Sequence, residues 1–106
     1  MAELMRNKYK AIKTIVDDIT FDSKKEAKRY IQLKLMVNAG VISDLKLQPR
    51  FDLIINGCKC GFYKADFEYF ENDKRVIEDV KGMKTPVYNL KKKLIKAIYG
   101  IEIFET

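Results

Sequence analysis

The chain has 106 residues, enough for one domain and too few for two. Hydrophobic residues make up 47%, so a core can form, and 21 Lys and Arg against 15 Asp and Glu give a net charge of +6. No apolar run approaches the ~20 residues that span a bilayer, and the absence of His removes Ser/His and Cys/His nucleophilic arrangements.

The positive excess favours a polyanionic partner such as nucleic acid, or an anionic membrane surface. The opening stretch MAELMRNKYKAIK has no apolar h-region, which predicts no secretory signal and a cytoplasmic protein. Residues 1–12 read as a basic, loosely held arm on a single domain covering 1–106. KTIVDDITF, residues 13–21, predicts two short strands around Asp17-Asp18.

Ser23 with Glu26 three positions on is the capping-box pattern, and the helix it opens is expected to run to about Asn38 and stop at Gly40. Ala27, Tyr30, Leu33 and Val37 form its inward arc, while Lys24, Lys25, Lys28 and Gln32 lie outside. Glu26 falls inside the apolar arc. Two readings stand for it: a cap that closes on Ser23, or a carboxylate reaching a cation beneath the helix.

LKLQPRFDLII then reads as one strand with Pro49 near its start. Asn56-Gly57 marks a turn, and GFYKADFEYF alternates as a second strand. That pattern sets Lys64, Asp66 and Glu68 on one face, and Tyr63, Ala65, Phe67 and Tyr69 on the other. Cys58 and Cys60 flank Lys59, and without His they read as two reduced thiols in a hairpin rather than a zinc site.

A turn at 71–73 leads into KRVIEDVK. Here Asp79 and Lys81 share a face, and Glu78 points the other way, where a structural or ion-pairing role is expected. Pairing residue 70 with 74 sets Asp66 opposite 78; a one-residue bulge or offset brings it beside Asp79. Thr85-Pro86 predicts the start of a second helix, ended by Gly100, with Val87, Leu90, Leu94, Ala97 and Ile98 facing the core and Lys92, Lys93 and Lys96 facing water. Lys91 borders the apolar stripe, either as a snorkelling surface lysine or as a phosphate contact. IEIFE is a last strand. The order α-β-β-β-α-β, after a small N-terminal hairpin, predicts an α/β or α+β domain with a mixed sheet flanked by helices.

Glu26 on the first helix, Ala65-Asp66 on a middle strand and Asp79-Val80-Lys81 on the next resemble the motif set of the PD-(D/E)XK nuclease superfamily, whose core has that element order. FDSKKEAKRY, LQPRF, YKADFEY, EDVKG and the terminal helix are similar to small phage and prophage proteins of that superfamily, whose fold relatives include endonucleases that resolve Holliday junctions. Ala65 stands where the superfamily commonly has Pro.

The resemblance implies a restriction-endonuclease-like core and a Mg²⁺-dependent DNA endonuclease, with Mn²⁺ as a substitute. Asp66, Asp79, Glu26 and the Val80 carbonyl would serve the metal, and Lys81 would be catalytic with them. It further implies branched DNA as substrate, a role in phage DNA recombination, and a homodimer in the host cytoplasm. Lys24, Lys25, Lys28, Arg29, Lys91, Lys92 and Lys93 would contact phosphates, which carry affinity without sequence information. The alternative is a non-catalytic nucleic-acid-binding protein on the same fold.

Overall fold

A computed structural model of the chain describes residues 13–81 and 84–106; the expected basic arm lies outside them. The described residues open with β1 (Thr14–Val16) and β2 (Ile19–Phe21), antiparallel with Val16 opposite Ile19. Asp17 and Asp18 between them both have positive φ, 52° and 62°, the backbone that matches a two-residue turn to the strand twist. Helix α1 (Lys24–Asn38) starts where the capping pattern places it: Ser23 is extended, and its Oγ accepts the Glu26 N–H at 3.0 Å. Its inward face buries Glu26, Ala27, Tyr30 and Leu33.

Five strands follow: β3 (Ser43–Leu47), β4 (Arg50–Ile55), β5 (Cys58–Lys64), β6 (Phe67–Glu71) and β7 (Lys74–Asp79). Helix α2 (Pro86–Tyr99) and β8 (Ile103–Glu105) complete the domain. Thr85 caps α2 through the Tyr88 N–H, and Gly100, at φ 70°, ends it. The main sheet has the order β3-β6-β7-β8, with β7 and β8 parallel and the other pairs antiparallel. Among the described residues the fold is a small α+β domain with a mixed sheet and two helices.

The two long strands expected over 45–55 and 61–70 are each broken. The register is nonetheless continuous: Leu47 lies opposite Phe67, and Arg50 opposite Lys64. Between these pairs Gln48 turns to φ 53°, and Pro49 has no N–H to give. The Gln48 N–H donates to the Asp66 carbonyl at 2.9 Å, and the Ala65 N–H to the Pro49 carbonyl at 3.0 Å. Both strands therefore break side by side, and β4–β5 leaves the main sheet as a ribbon of its own.

This break overturns the expected facing of 63–69. Tyr63 and Ala65 pack with Phe51, Leu53, Ile77, Tyr88, Ile95 and Ile103 on the α2 side. Phe67 and Tyr69 pack with Phe21, Ala27, Tyr30, Leu33 and Ile42 on the α1 side. On the unbroken β7, Ile77 packs in the α2-side cluster and its neighbour Val76 against the α1-side cluster, and neighbouring strand residues point to opposite faces, so the two helices cover opposite faces of the sheet. The buried face of α2 also differs from the expected one. Tyr88 and Ile95 are buried, whereas Val87 and Leu90 are 62% and 57% exposed and Ala97 is exposed. The helix is turned by roughly one residue because the Tyr88 ring, not the aliphatic 87–90 pair, fills the space beside Tyr63.

Candidate functional site

The site forms where β6 begins and β7 ends. The β6–β7 turn closes between Glu71 and Lys74, one residue tighter than a 70–74 pairing, with Asn72 and Asp73 both at positive φ. Phe67 therefore lies opposite Glu78, and beyond it the Asp66 N–H donates to the same Glu78's carbonyl at 3.1 Å, which sets Asp66 beside Asp79 instead of one regular step further along the ladder. The two carboxylates meet on the α2 side of the sheet, at its end.

Each is anchored through one oxygen. Asp66 Oδ2 accepts the Val80 N–H at 2.7 Å. Asp79 Oδ2 accepts the Tyr63 hydroxyl and, at 3.2 Å, the Lys81 ammonium. Lys81 and Asp79 thus share a face, as strand alternation requires. Beyond β7 the parallel pairing with the last strand continues: the Thr106 N–H donates to the Asp79 carbonyl and the Lys81 N–H to the Thr106 carbonyl, both at 3.1 Å. The Lys81 Nζ also lies 4.0 Å from the centroid of the Tyr88 ring.

The acids repel one another. Burial first, then the hydrogen bond and negative charge of Asp79 and the charge of Glu26, push Asp66 up to about 8, against the downward pull of the Val80 N–H. Glu26, itself buried, is raised by burial, then by Asp22 and Asp79, with Lys81 acting in the opposite direction. Glu26 thus gives its backbone N–H to the Ser23 cap, while its buried carboxyl feels the charge of Asp79. Among the described residues, no three or more His, Cys, Asp and Glu side chains are grouped so as to hold a metal ion.

The basic residues divide. Lys25, Lys28, Arg29 and Gln32 of α1 line a groove that ends on Val80 and Thr106. Lys25 Nζ donates to the Lys81 carbonyl at 2.9 Å, and Lys24 and Lys28 are exposed. Arg29 is turned inward, gripping the fully buried Glu78 with two hydrogen bonds of 2.7 and 3.0 Å. Glu78 also accepts from the Tyr69 hydroxyl at 2.7 Å and from Thr106 Oγ1 at 3.2 Å, the structural pairing expected for its face. Lys91 is half-buried, its Nζ 5.5 Å from the Phe62 ring centroid. Lys92, expected in water, is half-buried and pairs with Glu105 at 3.3 Å. Cys58 and Cys60 are free and exposed on β5.

Sequence reasoning missed Tyr63, Tyr88 and Glu105. Glu105 lies opposite Asp79 on β8 and accepts from the Tyr88 hydroxyl at 2.6 Å and from Lys84 at 3.0 Å. The Tyr88 bond first, then Lys84 and Lys92, hold its carboxyl down at about 2. Tyrosines are common core residues, so only their spatial neighbours distinguish these two.

The chain matches no curated protein and no solved structure. A family model described as "Protein of unknown function (DUF1064)" matches residues 6–103, nearly the whole chain, and the protein belongs to that family.

Proposed function

We propose that the protein is a Mg²⁺-dependent DNA endonuclease with a restriction-endonuclease-like core, acting on branched DNA. The observation that supports this most strongly is the adjacency of the Asp66 and Asp79 carboxyls at one sheet end, with the Lys81 ammonium 3.2 Å from Asp79. The order of elements, a helix, a broken pair of strands, a third strand, a helix and a parallel last strand, agrees with the PD-(D/E)XK resemblance.

The donor set fits a hydrated Mg²⁺. This ion takes one or two carboxylates and keeps several waters for substrate phosphate, so a closed three-acid cage is not required. Two acids crowded enough to hold Asp66 near 8 are also a site that a cation relieves. Asp66, Asp79 and the Val80 carbonyl would hold the ion, with Glu26 reaching it through water. The ion would neutralise phosphate charge and supply hydroxide at neutral pH. Lys81 would orient the attacking oxygen or stabilise charge growing on the phosphoryl oxygens. The α1 groove, with Lys25 and Lys28 at its wall, offers phosphates a path to the site, and two copies of the chain would present two such sites to the two strands of a junction.

Incubating the protein with four-way junction, duplex and single-stranded DNA, in Mg²⁺, Mn²⁺ or EDTA, tests the reading. Metal-dependent cuts, most frequent on the junction and leaving 5′-phosphate ends, are expected. Binding without cleavage in either metal would favour the non-catalytic nucleic-acid-binding protein.

A further inference from the structure

A lysine ammonium at the end of four rotatable bonds does not hold one place on a single ion pair. Lys81 has a second support. Its Nζ stands over the Tyr88 ring at 4.0 Å, within the range where a ring face attracts a cation. The ring is itself fixed. Tyr88 is 7% exposed, it packs in the core with Ile95, and its hydroxyl is tied to Glu105 at 2.6 Å. Glu105 is held in turn by Lys84 and Lys92.

The other partner of Lys81 is supported in the same way. Tyr63, 4% exposed, donates its hydroxyl to the Asp79 oxygen that Lys81 also contacts. Tyr63 belongs to β5 and Tyr88 to α2, and their rings lie 6.3 Å apart. Two buried tyrosines from separate elements thus converge under one acid–lysine pair.

We infer that Tyr63 and Tyr88 are positioning residues, Tyr63 for the Asp79 carboxylate and Tyr88 for the Lys81 ammonium. Their part in the reaction rests on the nuclease reading; their hold on the two side chains does not. Neither is placed to touch substrate. Tyr63 orients a metal ligand through one hydrogen bond, as outer partners of ligands do. Tyr88 keeps the ammonium beside the acid instead of loose in solvent.

Steady-state cleavage over a range of DNA concentrations, together with NMR of ¹³C-methylated lysines, tests the inference, with Lys81→Arg assigning the Lys81 signal. Tyr88→Phe keeps the ring and should stay within about threefold of the parent rate. Tyr88→Leu should lower kcat about tenfold or more with KM unchanged, and Tyr63→Phe should do likewise. Ile95→Val, which thins the same core without touching the pair, should leave kcat at the parent value. The Lys81 methyl signal should be shifted upfield by the ring in the parent and in Tyr88→Phe, and lose that shift in Tyr88→Leu.

If the parent cuts DNA and both Tyr88→Leu and Tyr63→Phe match its rate, the positioning role is overturned while the nuclease reading stands. If the parent cuts nothing, the nuclease reading falls. The methyl signal then decides the remainder: an unshifted Lys81 resonance overturns the hold of Tyr88 as well, and a ring-shifted one supports it.

Discussion

Replacing Arg29 with methionine removes both guanidinium bonds from Glu78, at 2.7 and 3.0 Å, and leaves a carboxylate with no solvent exposure. Stripping one partner from a buried ion pair costs about 3–5 kcal/mol, because the surviving charge stays desolvated. Glu78 keeps the Tyr69 and Thr106 hydroxyls, and methionine preserves most of the stem packing. The low end, about 3 kcal/mol, is therefore expected, or a fall in Tm of roughly 12–20 °C for a domain of this size. Urea denaturation followed by circular dichroism measures it, with the slope unchanged and the midpoint lowered. Adding Glu78→Gln to Arg29→Met should recover at least about 1 kcal/mol, since the orphaned charge is gone. An Arg29→Met protein within about 0.5 kcal/mol of the parent would refute the ion-pair reasoning and return Arg29 to the set of free phosphate contacts.

Three further outcomes follow from the same geometry. Asp66 sits near 8 in the folded chain and ~3.9 when unfolded, so the folded state binds the extra proton between those values. Its contribution is most favourable below about pH 4 and is lost as pH rises towards 8; the stability of the parent relative to Asp66→Asn, from urea midpoints without metal, should therefore fall between pH 5 and 8.5, and a constant difference would contradict the shift. Phe67 is fully buried between sheet and α1, and Phe67→Ala should cost about 3–5 kcal/mol in the same assay. Lys25→Ala with Lys28→Ala should weaken DNA binding about equally across sequences and reduce the slope of log K against log salt by ~0.9 for each phosphate no longer neutralised; filter binding at several salt concentrations measures this.

Local signals were legible where the chemistry is local. Ser23, Thr85 and Gly100 mark helix ends because their caps are made by nearby backbone groups. Asp17-Asp18 and Asn56-Gly57 mark turns because few residues tolerate positive φ. The site was half legible. Alternation put Asp79 and Lys81 on one face, and the apolar arc of α1 carried Glu26 inward. The partnership of Asp66 with Asp79 depended on a turn tighter by one residue and on the Asp66 N–H leaving the regular ladder for the Glu78 carbonyl, and strand pattern alone does not fix register. The break at Gln48-Pro49 and Ala65-Asp66 was hidden because each strand still alternates through it. Only the pairing of the two strands shows that they break together. The rotation of α2 escaped for a related reason: Val87 and Leu90 look like core residues until the Tyr88 ring is seen to occupy that space.

In the proposed reaction Asp66, Asp79 and Lys81 hydrolyse a DNA backbone with a divalent ion. Its most direct test pairs Mg²⁺-dependent junction cleavage with junction binding in EDTA, for the folded parent and for Asp79→Ala, with circular dichroism confirming the variant's fold. Asp79→Ala is expected to bind as the parent does and to cut nothing. Parent-level cleavage by the folded variant would contradict it.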